Sequence, residues 1–446
     1  MVFKRIFAVL TAAALLLAMS SCGGDEAKRP EPELTEDGKK IVKVYSISVN
    51  ANISDDIRQF NQFNSNYEVQ LTEYISEYGE EAHDRLNADI AAGKTPDVIM
   101  YDLERDFPIE SYAQKGALAD FYELMDNDPD LSREDFSDVF KVFERDGKLY
   151  RMITSFFIMS AAGKTSIVGD EQGITLDRFI ELVDEYPDSP FPNDSSDSLL
   201  WALIDYGCGN FIDTDSGKCR FDSEEFIKLL EFCNQFPNTV EERDEDAFRK
   251  DAYAKRAGTT PFAFVHFNSF SDIRRIEYQE FGDPVTFIGF PGTGGNGSVI
   301  QPNGSKFSVF ANGSNPEGGW EFVKYFLTKS YQNKFVGSGC FAVRRSALEE
   351  QAEYAKKLVW DSEEKDYVEP YYIDDTGKKI IIGVNTDEDN QRVYDLISGA
   401  METGADTNVI LIVYEEAGAY FSGQKSAKEV AEIIQNRVQN YLDESR

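Results

Sequence analysis

The sequence predicts an α/β protein of two lobes, and three observations carry that reading. Residues 41–102 alternate β-branched runs with amphipathic stretches in the order β-α-β-α-β, one half of an open parallel sheet. Strand and helix patterns then keep alternating to the C-terminus without an internal repeat. At 446 residues, 41% apolar and 13% aromatic, the chain exceeds the ~250–300 residues at which a single core tends to divide.

Taken in order, IVKVYSISV (41–49) reads as a buried parallel strand. Ser54 is placed to cap the next helix, with Asp55 and Asp56 in its first turn and Ile57, Phe60 and Phe63 on one face. Tyr67, Val69 and Leu71 alternate as a second strand, a helix follows over 80–92, and DVIMYD (97–102) is a third strand. The carboxyl ends of such strands face ligand, here near Ser48–Asn52 and Tyr101–Asp102. Thr175 opens the helix LDRFIELVDEY, and SLLWALIDYG keeps the helical pattern. NFIDTDSGKCRF holds two short strands around a turn. Asp222 then caps a helix with Phe226, Leu229, Leu230 and Cys233 at helical spacing. TPFAFVHFN (260–268) is a strand running into a helix at SFSDIRRI, and VTFIGF (285–290) is a strand ending in PGTGGNGS. Asn315 with Pro316 at the first helical position opens EGGWEFVKYFL, whose Trp320 shares a core face with Val323, Phe326 and Leu327. Ser426 and Glu429 form a capping box for the last helix, which carries Val430, Ile433, Ile434, Val438, Tyr441 and Leu442.

The N-terminus assigns the compartment. Lys4 and Arg5 precede an apolar run from Ile6 to Met19, too short to span a bilayer of ~30 Å and shaped as an export signal. Ser20, Ser21, Cys22, Gly23 and Gly24 resemble a bacterial lipobox, with Met19 where leucine is usual. That resemblance implies cleavage before Cys22, diacylglycerol on its sulfur and a fatty acyl chain such as palmitate on the new N-terminus, because stable anchoring needs more than one chain. A plain secretory signal also places the mature chain outside the cytoplasm. Residues 23–39 are polar, charged and without periodicity, a flexible tether. The net charge of −35 repels phosphate backbones and argues against nucleic acid as a partner.

Chemistry-bearing motifs mostly fail their structural tests. Gly292, Gly294 and Gly297 satisfy G-x-G-x-x-G, yet a strand-like SVIQPNGSKFSVF follows where a dinucleotide site needs a helix, so a flexible loop near a cleft is expected. AAGKT occurs at 91–95 and 161–165, but Ala88 and Ile158 stand where a phosphate-binding loop requires glycine. Asp213, Asp215 and Glu224 imitate a calcium loop with its glycine, Gly217, one residue early. Beyond Cys22, the four cysteines lack metal-ligand spacing; Cys208 and Cys219 flank a turn and are placed to pair, or stand as single buried thiols. With only His83 and His266, triads and histidine-rich metal centres are disfavoured, and no metal or other cofactor is expected. Nothing singles out a carboxylate pair among 80 acids for glycoside hydrolysis.

RLNADIAAGKTPDVIMYD, with its AG-x-x-PD turn into a strand, resembles the family 1 extracellular solute-binding proteins, receptors of ABC importers. FNQFNSNYEV, YAQKGALADFYEL, GKLYRMITSFFIMSAAGKTSIVG (which resembles the crossover into the second lobe), GFPGTGGNGS, NPEGGWEFVKYFLT, GCFAVRRSAL and SAKEVAEIIQNRVQNYLDE continue the resemblance over nearly the whole mature chain. DEQGITLDRF departs from it, with Gln172-Gly173 where a Gly-Trp pair is common. The resemblance implies a periplasmic-binding-protein-like fold with a hinge and an interlobe cleft. The expected division is 1–21 signal peptide, 22–39 tether, 40–155 first lobe, 156–290 second lobe, 291–346 return to the first lobe and crossover, and 347–446 mainly C-terminal helices of the second lobe.

It further implies a monomeric carbohydrate receptor without a catalytic step, held at the outer face of the cell membrane by lipid on Cys22 and delivering solute to a permease. Sugar sites combine aromatic faces with carboxylates and amides. The expected ligand-binding residues are therefore Tyr101, Asp102, Phe156, Phe157, Trp201, Asn210, Asp213, His266, Phe267 and Asn268. Each aromatic has burial in a core as its alternative. Two other functions remain open at this point: an extracytoplasmic polysaccharide-degrading enzyme, and the same fold sensing ligand for a membrane kinase.

Overall fold

A computed structural model describes residues 30–47, 53–102, 107, 109–186, 188–191, 194–207, 211–213, 216–239, 245–292, 294–374, 377–402 and 407–444. The expected signal, Cys22, the strand-end stretch Ser48–Asn52, Cys208, Asn210 and Asp215 lie outside the described residues.

The β-branched run after the tether forms β1 (Lys40–Ser46), flanked in parallel by β2 (Tyr67–Glu73) and β3 (Val98–Tyr101). Val98 and Met100 of β3 point to one face, joining Val42, Val44, Ile57, Phe60, Phe322 and Phe326. Ile99 and Tyr101 point to the other, joining Tyr74, Leu86, Phe107 and Phe310. Both faces are covered by helices, as a parallel sheet requires. The helix Ser54–Phe63 is present, but Ser54 is its first residue and Ile53 occupies the cap without a side-chain bond.

The segment expected only as a crossover contains β4 (Ser155–Lys164), the longest strand and the centre of the second sheet. After the short hairpin β5 (Ile212–Asp213) and β6 (Lys218–Cys219), β7 (Ala263–Phe267), β8 (Val285–Phe287) and β9 (Val299–Pro302) all run antiparallel to β4. Next, β10 (Lys306–Val309) returns to the first sheet against β3, giving the order β10-β3-β1-β2. β11 (Phe341–Ala342) pairs with the start of β4. The final hundred residues hold two hairpins not expected from sequence: β12 (Val359–Asp361) with β13 (Asp366–Val368), and β14 (Tyr371–Ile373) with β15 (Lys379–Ile381). β16 (Met401–Glu402) lies parallel to β9 and closes the second sheet. Phe156, Ile158, Phe267, Phe287 and Ile300 share one continuous core with the first sheet, including Trp320 as expected. Leu199, Leu230, Val413 and Ile434 build a separate core from the helices Ser196–Gly207, Glu224–Cys233, Thr407–Phe421 and Ala427–Glu444.

Helix starts follow local chemistry. Thr175, Asn315 and Ser426 accept the backbone N–H groups of Arg178, Gly318 and Glu429, and the Glu429 carboxylate takes the Ser426 N–H in return. The helix at Glu224 is capped by Ser223, whose hydroxyl takes the Phe226 N–H at 3.3 Å, rather than by Asp222.

The glycine-rich loop is pinned. Phe290 N–H donates to Gly297 O at 2.7 Å, and Asn296 N–H to Gly399 O at 3.0 Å. Gly289 has φ +71°, and a Cβ there meets the Gly297 backbone at 2.3 Å. Gly289→Ala is therefore expected to cost about 2–3 kcal/mol through backbone strain and overlap, read as a fall in the urea midpoint. The loop leads into β9, so it offers no helix N-terminus to a phosphate. Asp213 spends its side chain on the hairpin turn, accepting the Ser216 N–H at 3.0 Å. Cys219 is a free thiol beside Gln435 and Gln439 of the last helix.

Candidate functional site

On one face of the second sheet Met159, Phe290 and Val299 form a small buried apolar cluster, with Phe157, Tyr206 and Phe264 only partly buried at its rim. Along β4, Phe157 and Met159 point opposite to Phe156 and Ile158, and Gln301 of β9 lies across from Phe157. The Phe157 ring stacks on His266 of β7, centroids 6.1 Å apart at 22°. Above this face ends the helix Ser196–Gly207. Leu199, Leu200, Leu203 and Ile204 bury its inner side, leaving Asp205 and Tyr206 half-buried at its last turn. The Tyr206 ring packs on Phe290 with centroids 4.4 Å apart, and its hydroxyl is hydrogen-bonded by Gln301.

The first sheet meets this face through β10. Lys306 donates to Asp102 O at 2.7 Å, its ammonium lies 6.0 Å from the Tyr101 ring centre, and Ser305 Oγ donates to Asp102 Oδ1 at 3.0 Å. Burial pushes the Asp205 carboxyl up to about 6, with the Lys306 charge opposing it. Partial burial and the Arg275 guanidinium lower the His266 imidazole, so the ring is neutral near pH 7. Together Phe157, Asp205, Tyr206, Gln301 and Lys306 offer aromatic faces, a carboxylate, an amide and an ammonium at the junction of the two sheets. Such a set suits C–H faces and hydroxyl groups on one ligand.

The expected residues separate into three groups. Asp102, Phe157 and His266 border this junction, and Asn268 lies half-buried just beyond β7, its N–H donating to Asp272 Oδ2 at 2.8 Å. Tyr101, Phe156 and Phe267 are fully buried. Tyr101 packs on Phe107 and lies 3.4 Å from Ser308 Oγ, Phe156 stacks on Phe341, and Phe267 meets Phe287 edge-on. These three side chains hold the core rather than face a ligand in this structure, because each points to the inner side of its strand. Trp201 is partly buried against the helical core, edge-on to the exposed Tyr414, and Asp213 sits in its hairpin turn. Asp205, Tyr206, Gln301 and Lys306 were not expected; the one available signal was an Asp-Tyr pair ending an otherwise apolar helix. Among the described residues no group of three His, Cys, Asp or Glu is arranged to hold a metal, and no helix is long and apolar enough to cross a membrane.

A family profile described as bacterial extracellular solute-binding protein matches residues 57–359. Among solved structures, the sugar-binding protein MalE of Xanthomonas citri aligns with a TM-score of 0.55 at 14% identity, over 91% of this chain and 98% of its own. A Listeria monocytogenes ABC substrate-binding protein, Lmo0181, in complex with cycloalternan aligns at 0.53 and 12%, over 91% and 99%. An ABC transporter solute-binding protein of Thermotoga lettingae bound with α-D-tagatose aligns at 0.52 and 15%, over 91% and 100%. A comparison with curated proteins gives no match. These likenesses share the two-lobed fold, and with more than half of its residues inside the profile this chain belongs to the family of bacterial extracellular solute-binding proteins.

Proposed function

We propose that this chain is a lipid-anchored receptor that captures a carbohydrate between its lobes and delivers it to an ABC permease. The observation that carries the reading is the junction of Phe157, Asp205, Tyr206, Gln301 and Lys306, which pairs ring faces with hydroxyl-binding groups. Solved structures of the same fold bound to α-D-tagatose and cycloalternan support it. Asp102 and His266 border the site, and ligand closure draws the lobes together, a population shift rather than a chemical step. Residues 40–155 and 291–346 are assigned to the first lobe and 156–290 with most of 347–446 to the second.

A thermal-shift panel of the chain from Gly23 onward tests this reading. A saccharide at ~100 times its dissociation constant adds about 2.7 kcal/mol of stability, a clear rise in Tm. A rise with one sugar class is expected; a flat response to all saccharides alongside a rise with amino acids or peptides overturns the assignment. The lipobox reading is checked separately. Cys22→Ala is expected to move the protein from the membrane fraction to the soluble one, since two or more acyl chains are lost at once. Unchanged membrane association contradicts the anchor.

A further inference from the structure

We infer that Glu402, clasped by Arg145 and Arg151, is a positioning residue: an ionic pivot that keeps the lobes joined at one point and limits the spread of angles between them. Glu402 stands on β16, opposite Ile300 of β9, at the edge of the second sheet. Both arginines belong to the first lobe. Their segment is fastened there by Met152 bridging Phe307, by Phe121 N–H donating to Leu149 O at 2.7 Å, and by Ser308 Oγ donating to Tyr150 O at 2.8 Å. Arg145 Nη2 donates to Glu402 Oε2 at 2.7 Å, and Arg151 Nη2 donates to Oε1 of the same carboxylate. Through Nε, Arg145 also reaches Glu110 at 3.1 Å, on the helix Ile109–Gln114 that follows β3.

Burial decides between a latch that breaks and a pivot that holds. The Arg151 side chain is 4% exposed and that of Glu402 17%, while the Arg151 guanidinium lies 4.9 Å over the Phe143 ring. Burial works against ionisation, yet the two guanidiniums hold the Glu402 carboxyl below its usual range. Pulling the lobes apart here strands an uncompensated charge in a dry setting, so the contact persists while the lobes turn about it. A small cavity lined by Ile109, Glu110, Phe143, Arg145, Tyr150 and Arg151 borders the pivot.

Electron–electron distance measurements on the ligand-free protein test this. Nitroxides are carried on p-acetylphenylalanine at positions 58 and 181, whose native side chains are 74% and 62% exposed and which sit on helices of the first and second lobes. Glu402→Gln and Arg145→Gln are each expected to broaden the interlobe distance distribution by about twofold. Arg437→Gln, which removes the ion pairs to Glu415 and Glu416 within the second lobe's helices, is expected to leave it unchanged. If Glu402→Gln does not fold, Arg145→Gln alone decides, because its side chain is 36% exposed and tolerates the change. A distribution of unaltered width, with only a lowered unfolding midpoint, overturns the pivot and leaves Glu402 a structural residue. The inference rests on the two-lobed fold and not on the ligand, so it stands or falls independently of the carbohydrate reading.

Discussion

Replacing Asp97 with alanine is expected to lower the unfolding free energy by about 3–5 kcal/mol. Asp97 is fully buried immediately before β3, where the first sheet, the β10 return and the helix Pro316–Leu327 converge. Its carboxylate accepts the backbone N–H of Lys43 at 2.8 Å, that of Asn315 at 2.6 Å and the Ser314 hydroxyl at 3.2 Å. Alanine leaves two buried N–H groups without acceptors, and each such group costs ~1–3 kcal/mol. The side chain also sets up the next cap, because Asn315 accepts the Gly318 N–H only when its own backbone is held in place. Asparagine retains one acceptor and is expected to lose about half as much. Urea denaturation reads the effect as a lowered midpoint at unchanged slope. A loss under about 1 kcal/mol for alanine contradicts this account of the loop.

The second large effect concerns binding. Asp205→Ala is expected to weaken saccharide binding by about 100-fold, since hydrogen bonds to a charged acceptor contribute ~1.5–3 kcal/mol. The pH dependence has a definite sign. Asp205 sits at about 6 in the folded chain, above its ordinary value of 3.8, because burial disfavours the charge. The folded state therefore binds the proton more tightly than the unfolded one between those values. Its contribution to stability is most favourable at low pH and is lost as pH rises through about 6. Ligand hydroxyls need the ionised acceptor, so affinity moves the opposite way and falls as pH drops through about 6. Asp205→Asn is expected to bind weakly and without that pH step while being no less stable at pH 7.5. Calorimetric titrations at pH 5 and pH 7.5 with paired melts separate the two; equal affinities at both pH values in the wild type rule out Asp205 as the acceptor.

The first lobe was legible because its strands carry strong local signals. Ile41 to Val49 is β-branched, and Tyr67, Val69 and Leu71 alternate. β4 was read only as a crossover. Phe156, Ile158, Ala161 and Ala162 are all buried, since both faces of β4 are covered, and a run without alternation does not declare itself a strand. Ser54 and Asp222 were one position from the true starts, where a neighbouring residue, Ile53 or Ser223, takes the cap. Of the residues expected at the site, some lie at the junction of the two sheets and others in the cores. A strand sends neighbours to opposite faces, so Phe157 and His266 face the junction while Phe156 and Phe267 enter the core. Sequence alone does not say which of two adjacent aromatics is which. Asp205 and Tyr206 meet Gln301 and Lys306 across about a hundred residues, a contact set by tertiary packing alone.

Amide hydrogen exchange, with and without the saccharide giving the largest thermal shift, tests the central claim most directly. Binding at the junction of the two sheets predicts strong protection in 203–207 and 299–308, with smaller changes in the distant hairpin 212–219. Protection confined to other segments, or none at saturating saccharide, contradicts a carbohydrate site between the lobes.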